Sequence, residues 1–392
     1  MLKIVIPTDK KRWVSLLIRL NWLIALLYYL VVPIFHNKAI TQPLTAAGCI
    51  ASTLIWVVAL QHIRVSKLDL SLCLVCLAVL LMKFVVGQSY TVTDGWYAAL
   101  AFINVLGLFL VFRDIEITQK DFDFIYYISV FLTLLFFVYS FSPLAYRMES
   151  EGKVHIVDAL VMNLNNPNAA AMHLFGLFCI ILMSIGKRRF KVFNIILCAI
   201  TIYLIFRTEC RSCMIAVIFV LVFYIFFRSA VLPKPVVIIG MLLPVVTLAV
   251  YLIMYYSDPS HAITFANKML FSGRETIYIE VLNELRSPFT ILFGAVRKEY
   301  FYNAHNAFLS VLSSIGVIGT ISYTVLLIRR VLDVRQISPV ATVCLLGLSI
   351  QACAESAMFV GSFPFNMFLM LFLVLGRYLE RENDEPRLEE VE

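Results

Sequence analysis

Apolar runs of about 20 residues recur along this sequence, and they constrain its fold more than any other feature. Hydrophobic residues fill 61% of the 392 positions and charged residues only 15%. A water-soluble chain of this length could not bury so much apolar surface, whereas a helix of ~20 apolar residues crosses a ~30 Å hydrocarbon core. We therefore expect an all-α integral membrane protein with about twelve transmembrane helices, at residues 14–35, 44–62, 68–87, 95–112, 122–141, 169–186, 192–206, 212–227, 236–255, 306–328, 338–357 and 361–376.

Basic residues are divided unevenly between the connections of these spans. With the N-terminus in the cytoplasm, the cytoplasmic segments hold 20 Lys and Arg and the outer segments hold 10. Because positive charge favours the cytoplasmic side, both termini are predicted there. Residues 1–379 then form a single polytopic membrane domain with a main outer loop at 257–305 and a second outer loop at 142–168. Residues 380–392 form an acidic cytoplasmic tail.

The main outer loop carries an unusual share of the outer basic residues. Ser272-Gly273-Arg274-Glu275 has the spacing of a capping box, and the apolar residues after it predict a short amphipathic helix from Gly273 to about Arg286. The N-terminus of that helix, with Arg274 in its first turn, suits an anion, and a purely structural cap is the alternative. Basic residues above a membrane cavity suit a phosphate or diphosphate, although a solvated loop or contacts to anionic lipid give the same pattern. The loop's basic residues are Lys268, Arg274, Arg286, Arg297 and Lys298.

A second basic position, Arg211, lies at the tight outer turn between the seventh and eighth spans. It begins an apolar run that it can join only if it is paired or reaches water. Its planar guanidinium matches phosphate oxygens, and Glu209 is an alternative ion-pair partner. Cys210 and Cys213 have the spacing of a metal-binding pair, but no second pair or histidine cluster accompanies them. We interpret both as small buried apolar residues.

Polar residues also lie where other spans meet the outer boundary. His305 opens the tenth span; imidazole can act as a base near neutral pH, although a lone interfacial histidine is commonly a polar anchor. Tyr302 suits stacking on a sugar or an interfacial aromatic belt. Asn168 is expected to cap the sixth span and could contact sugar hydroxyls. Glu355 lies well inside an apolar run, so we expect it to face a cavity and a basic group or hydroxyl.

These segments form a recognisable set. It comprises Asn166-Pro167-Asn168 before a span, Arg211 at the start of the next span but one, Gly273-Arg274 in the main loop, and His305-Asn306 before an apolar helix. The set resembles the O-antigen polymerase and ligase superfamily, mainly over residues 160–320. The closest local matches are Leu292-Phe293-Gly294, Asn303-Ala304-His305-Asn306-Ala307-Phe308-Leu309 and Ser314-Ile315-Gly316-Val317-Ile318-Gly319. Glu209-Cys210 departs from the family pattern, in which small or hydroxyl residues precede the arginine.

The resemblance implies a GT-C-like glycosyltransferase of a bacterial inner membrane that acts on the periplasmic side without a nucleotide-sugar donor. No cofactor is expected, and no metal is required if arginines neutralise the diphosphate. Its donor would be a glycan on undecaprenyl diphosphate. The resemblance makes His305 the catalytic base and places diphosphate recognition on Arg211 and Arg274, to which the basic loop adds Arg297. Sugar-binding or supporting roles fall to Asn168, Tyr302, Asn306 and Glu355.

Three functions are compatible with these observations. The compact main loop favours a polymerase that transfers the growing polysaccharide onto a new lipid-linked repeat unit. The first alternative is an O-antigen ligase with lipid A core as acceptor. The second is a transporter or flippase of lipid-linked glycan, which the number of spans also fits. Expected partners are the lipid bilayer, the lipid-linked glycan, a chain-length regulator and a flippase, but no nucleic acid.

Overall fold

The computed structural model has an all-α architecture with two small β-hairpins. It describes residues 8–35, 38–60, 65–86, 92–113, 115–150, 153–162, 164, 166–185, 190–227, 230–257, 264–265, 268–269, 274–295, 304–355 and 367–374. The first hairpin pairs β1 (Arg147–Ser150) with β2 (Lys153–Ile156), and the second pairs β3 (Thr264–Phe265) with β4 (Lys268–Met269). They lie in the two long outer loops, in which no strand was predicted.

The described α-helices follow the apolar runs of the sequence. They are α1 (Thr8–Phe35), α2 (Lys38–Ala59), α3 (Lys67–Val86), α4 (Val92–Val111), α5 (Gln119–Tyr139), α6 (Pro167–Ser184), α7 (Lys191–Arg207), α8 (Arg211–Phe227), α9 (Lys234–Met241), α10 (Leu243–Ser257), α11 (Arg274–Glu284), α12 (Pro288–Phe293), α13 (Ala307–Ile337) and α14 (Pro339–Ala352). Residues 367–374 are also helical.

The helices identify a membrane protein. Five in the described part of the chain are long and apolar enough to cross a bilayer, namely α1, α2, α5, α6 and α13, and the bent pair α9–α10 makes a sixth if it is one span. Large apolar side chains on the outside of the bundle are strongly exposed, for example Val192 and Phe226, each 72%. Such surfaces suit lipid. The all-α membrane class is therefore confirmed, while the count of twelve spans and their orientation stay predictions.

The centre of the bundle is α6. Each residue from 170 to 184 is buried, and α6 packs against α5, α7, α8 and α14. His173 on this helix is buried with the hydroxyl of Tyr29 against its Nδ1, so the polar pair is satisfied inside the core. Since α6 is held on every side, the residues at its N-terminus have a fixed position.

The ninth predicted span, 236–255, is broken rather than continuous. Helices α9 and α10 meet at an angle of 54°. Pro244 has no N–H, and its ring would clash with the carbonyl of Gly240 four residues earlier, so a straight helix is excluded. The released carbonyl of Gly240 accepts a hydrogen bond from Ser349 Oγ at 2.7 Å. The backbone carbonyl that the bend leaves without a helical partner is thus hydrogen-bonded to α14.

The tenth predicted span, 306–328, is also interrupted. Gly316 inside α13 has φ 60° and ψ −172°, outside the helical region. A Cβ atom there would lie 2.3 Å from the backbone of Leu292, and α12 packs directly against this break. The N–H of Ala295 donates to the carbonyl of Ser313 at 2.7 Å. The glycine is therefore required by the close approach of another backbone, and the resulting break is pinned by a hydrogen bond.

Ion pairs gather near the end of α13. Arg330 is 2% exposed and pairs with Asp69 and, at 3.0 Å, with Asp333. Arg113 also pairs with Asp333 at 2.6 Å. At 1.5 Å per residue along the helix, Arg330 lies about 35 Å from the start of α13. That separation matches a ~30 Å hydrocarbon core with polar groups at both ends.

Candidate functional site

Glu355, three residues after α14, is the centre of a polar cluster. Its side chain is only 3% exposed. Its Oε1 accepts hydrogen bonds from Asn168 Nδ2 at 2.6 Å and from Arg274 Nη2 at 3.0 Å, while its Oε2 lies 3.2 Å from His305 Nδ1. A buried carboxylate needs such partners. The prediction that Glu355 faces a basic group is therefore confirmed.

Helix ends bring these four side chains together from distant parts of the sequence. Asn168 is the second residue of α6, Arg274 the first of α11, and His305 lies two residues before α13. Three helix N-termini thus approach one carboxylate that follows the end of α14. Because each N-terminus carries a partial positive charge and unpaired N–H groups, this end of the bundle favours anions.

The cap of α6 differs from the prediction. Asn166, not Asn168, is the N-cap: its Oδ1 accepts from the N–H of Ala169 at 2.7 Å. Pro167 follows as the first helical residue, where its missing N–H costs nothing. Asn168 is therefore released from capping, and its amide donates to Glu355 instead.

His305 is held in an uncommon backbone conformation. Its φ is +50°, and its carbonyl accepts a hydrogen bond from the Tyr278 hydroxyl at 3.1 Å. A left-handed non-glycine residue costs ~1–2 kcal/mol, and such conformations are concentrated at functional sites. The carboxylate next to Nδ1 favours the tautomer protonated on Nδ1, so Nε2 carries the lone pair. A base oriented by a carboxylate is the arrangement of a general-base catalyst.

Asn306 has a supporting position. It is fully buried and caps α13 by accepting from the N–H of Leu309 at 3.0 Å. Its Nδ2 donates to the carbonyl of Pro244 at 2.9 Å and to that of Cys353 at 3.3 Å. Asn306, the residue after His305, therefore links the start of α13 to the α9–α10 bend and to the end of α14.

Arg211 begins α8 and is partly buried. Within the described part of the chain, its guanidinium forms neither a hydrogen bond nor an ion pair, so the expected alternative of a Glu209–Arg211 pair is not found there. Arg211 is thus a cation at the start of α8 whose N–H groups are not committed to a described acceptor.

The helix predicted in the main loop is present as α11, although it is shorter than 273–286. Tyr278 and Val281 are buried against Leu248 and Tyr251 of α10, which fixes the helix on the bundle. The capping residues Ser272 and Gly273 lie outside the described residues. So do the predicted site residues Arg297 and Tyr302.

Gln351 is a site neighbour that the sequence reasoning missed. It lies one helical turn before Glu355, whose N–H donates to its carbonyl at 2.9 Å. Its side-chain Oε1 and Nε2 are both buried, without a hydrogen-bond partner among the described residues. An amide left in this way costs ~1–3 kcal/mol. A glutamine inside an apolar run, on the helical face of Glu355, was the available signal.

Among the residues that the structure describes, no three His, Cys, Asp or Glu side chains come together as metal ligands would. The cluster instead combines the Arg274 guanidinium, an oriented imidazole and a neutral amide around Glu355. These groups can bind an anionic oxygen and accept a proton, which are the two requirements of transfer from a phosphate leaving group.

The fold and the site together define a polytopic α-helical membrane protein with an anion-favouring polar cluster at one end of its bundle. Comparisons with family models, with curated proteins and with solved structures gave no match. The class of protein is thus defined by its own residues alone.

Proposed function

We propose that the protein is a GT-C-like membrane glycosyltransferase with about twelve spans. It polymerises undecaprenyl-diphosphate-linked oligosaccharide repeat units on the periplasmic side of a bacterial inner membrane. One observation carries the proposal: Asn168, Arg274, His305 and Glu355, singled out separately in the sequence, meet within hydrogen-bonding distance. If Arg274 belonged only to a helix cap, His305 were only a polar anchor and Glu355 only an isolated buried acid, nothing would require the three side chains to meet.

The cluster suggests a division of chemical roles. Arg274 uses one N–H of its guanidinium on Glu355 and has others for a diphosphate, as does Arg211. As the bond from the anomeric carbon to the diphosphate breaks, these cations stabilise the charge that the leaving group gains. The acceptor hydroxyl oxygen forms the new bond and passes its proton to Nε2 of His305. Glu355 keeps the imidazole in the tautomer that can receive it.

An apolar cavity beside the cluster suits the lipid part of such a substrate. It is a half-open apolar groove lined by the α9–α10 bend and by both sides of the α13 break, including Pro244, Ala307 and Leu327. Irregular backbone at membrane depth is tolerated where it is buried or lines a cavity. We place the first isoprene units of the polyprenyl tail here, with the diphosphate next to Arg274 and Arg211.

Transport of lipid-linked glycan is the second candidate, because the breaks at Pro244 and Gly316 are features of transporters. In transporters, however, the polar binding groups lie at the broken segments near mid-membrane. Here the cations Arg211 and Arg274 begin α8 and α11, beside the broken helices rather than within them, which favours transfer chemistry. An O-antigen ligase would use the same donor site and differ only in its acceptor.

Deletion of the gene in its native host separates these functions. Loss of a polymerase leaves single repeat units on the lipid A core, and loss of a ligase leaves full-length polymer on the lipid carrier. Loss of a flippase leaves undecorated core with repeat units held on the cytoplasmic leaflet. The proposal expects the first result; either of the others would reject it in favour of the corresponding alternative, and an unchanged surface polysaccharide would reject all three.

A further inference from the structure

An exposed arginine stands at the end of an apolar surface formed by α5 and α7. The two helices pack side by side, and large apolar side chains on their outer faces are exposed, among them Val138 at 69% and Phe206 at 47%. Arg207 follows Phe206 as the last residue of α7 and is itself exposed. A cation that ends an apolar, lipid-facing helix is expected at the level where lipid headgroups meet water.

Two tyrosines hold this arginine in one orientation. Arg207 Nη1 donates to the Tyr203 hydroxyl at 3.0 Å, and Nη2 donates to the Tyr146 hydroxyl at 2.7 Å. The guanidinium carbon lies 5.4 Å from the ring centroid of Tyr146 and 5.9 Å from that of Tyr203, which is within cation–π distance. The Tyr146 hydroxyl in turn donates to the carbonyl of Ser140 at 3.0 Å. Because the side chain is already ordered, binding a ligand costs it little conformational entropy.

The Arg207 guanidinium keeps donors for a ligand. It has five N–H groups, and the two tyrosine hydroxyls use two of them. Within the described part of the chain it forms no ion pair, so no acid there neutralises it. The guanidinium fork matches two oxygens of a phosphate. An uncompensated cation favours a headgroup of net negative charge over a zwitterionic one, which brings its own cation.

We propose that Arg207, Tyr146 and Tyr203 form a binding site for an anionic phospholipid of the surrounding bilayer. The guanidinium binds two phosphate oxygens, the tyrosine hydroxyls keep it oriented, and the acyl chains lie along the exposed α5–α7 surface. A soluble phosphate would gain only the first of these contacts. The inference does not depend on the proposed glycosyltransferase activity, because no residue of the polar cluster around Glu355 takes part.

The test is lipid binding to the purified full-length protein in dodecylmaltoside, followed by native mass spectrometry. Dioleoylphosphatidylglycerol is titrated in parallel with dioleoylphosphatidylcholine, which has the same chains and phosphodiester but no net charge. We expect the wild type to bind the anionic lipid at least about tenfold more tightly, which is the effect of one charge-assisted hydrogen bond. Arg207→Gln should bring the two affinities within about twofold of each other.

Three further variants distinguish a built site from general attraction between charges. Lys191→Gln removes an exposed cation at the other end of α7 and should leave the preference unchanged. Arg207→Lys keeps the charge but cannot span both tyrosines, so most of the preference should be lost. Tyr203→Phe removes one orienting hydroxyl and should weaken binding a few-fold; it is also the milder change if size-exclusion chromatography shows that Arg207→Gln aggregates.

Several results would overturn the proposal. Arg207→Gln or Arg207→Lys could retain the wild-type preference, or Lys191→Gln could lose it to the same extent. In either case the anionic lipid is held by general charge and not at Arg207. Displacement of the lipid by glycerol phosphate at equal concentration would also overturn the proposal, because the acyl chains would then contribute nothing to binding.

Discussion

Replacing Glu355 by glutamine tests how the cluster orients its histidine. Asn168 and Arg274 both donate to Oε1, so the glutamine oxygen is expected to occupy that position. Its NH₂ group then replaces Oε2, 3.2 Å from His305 Nδ1, and must donate to it. The ring proton is therefore forced onto Nε2. With the shape of the side chain unchanged, His305 loses its capacity to accept a proton from a substrate at that nitrogen.

Two magnitudes separate this effect from simple destabilisation. Hydrogen bonds to a charged group contribute ~1.5–3 kcal/mol, and the substitution weakens rather than removes those at Oε1, so we expect a stability loss of about 1–3 kcal/mol. A general base contributes ~10²–10⁴-fold to the rate, equivalent to about 3–5 kcal/mol in the barrier. Chain extension should thus fall by ~10²–10⁴-fold in a protein that remains folded.

The assay is extension of lipid-linked repeat units by purified protein in proteoliposomes, with thermal unfolding measured in parallel. Glu280→Gln on the exposed face of α11 is the matched control and should retain wild-type activity. The reasoning is refuted if folded Glu355→Gln protein extends chains within a few-fold of the wild-type rate. It is equally refuted if activity falls only in proportion to the unfolded fraction.

Three further outcomes follow from the structure. Asn166→Ala should cost about 1 kcal/mol of stability through loss of the α6 cap. Asn168→Ala should act mainly on chain extension and only weakly on the melting temperature. Gly316→Ala should destabilise by about 2–4 kcal/mol in thermal unfolding, because its Cβ meets the backbone of Leu292; Gly240→Ala meets only a movable leucine side chain and should cost less. Alkylation of Cys210 by iodoacetamide should rise with pH around a midpoint near 7, since its pKa is lowered; a midpoint near 9, read on peptide 208–211, would contradict this.

The sequence predicted the structure best at residues that have few stable arrangements in a membrane. Runs of about 20 apolar residues can satisfy their backbone in lipid only as helices, and the helices of the structure follow those runs. Glu355 could be predicted to have a basic partner because an unpaired acid in an apolar run is costly. The identity of the partner could not be predicted, because Arg274 lies 81 residues away and is brought in by the docking of α11 on α10.

Other features depended on contacts that a single sequence does not display. The break at Gly316 exists because α12 presses its backbone on α13, and a glycine in an apolar helix does not by itself indicate that neighbour. The cap of α6 is a different case. Pro167 marks the first helical residue, so Asn166 was the better choice from the sequence alone. The pair Cys210 and Cys213 was interpreted from the sequence as small buried apolar residues, and both are buried in the structure.

The most direct measurement of the central claim is chain extension by the purified protein from a single lipid-linked repeat unit. Wild-type protein should produce a ladder of longer glycans and release one undecaprenyl diphosphate for each bond formed. Folded His305→Ala protein should insert into the membrane normally and give no ladder. Absence of extension by folded wild-type protein, or an unchanged ladder from His305→Ala, would contradict the account.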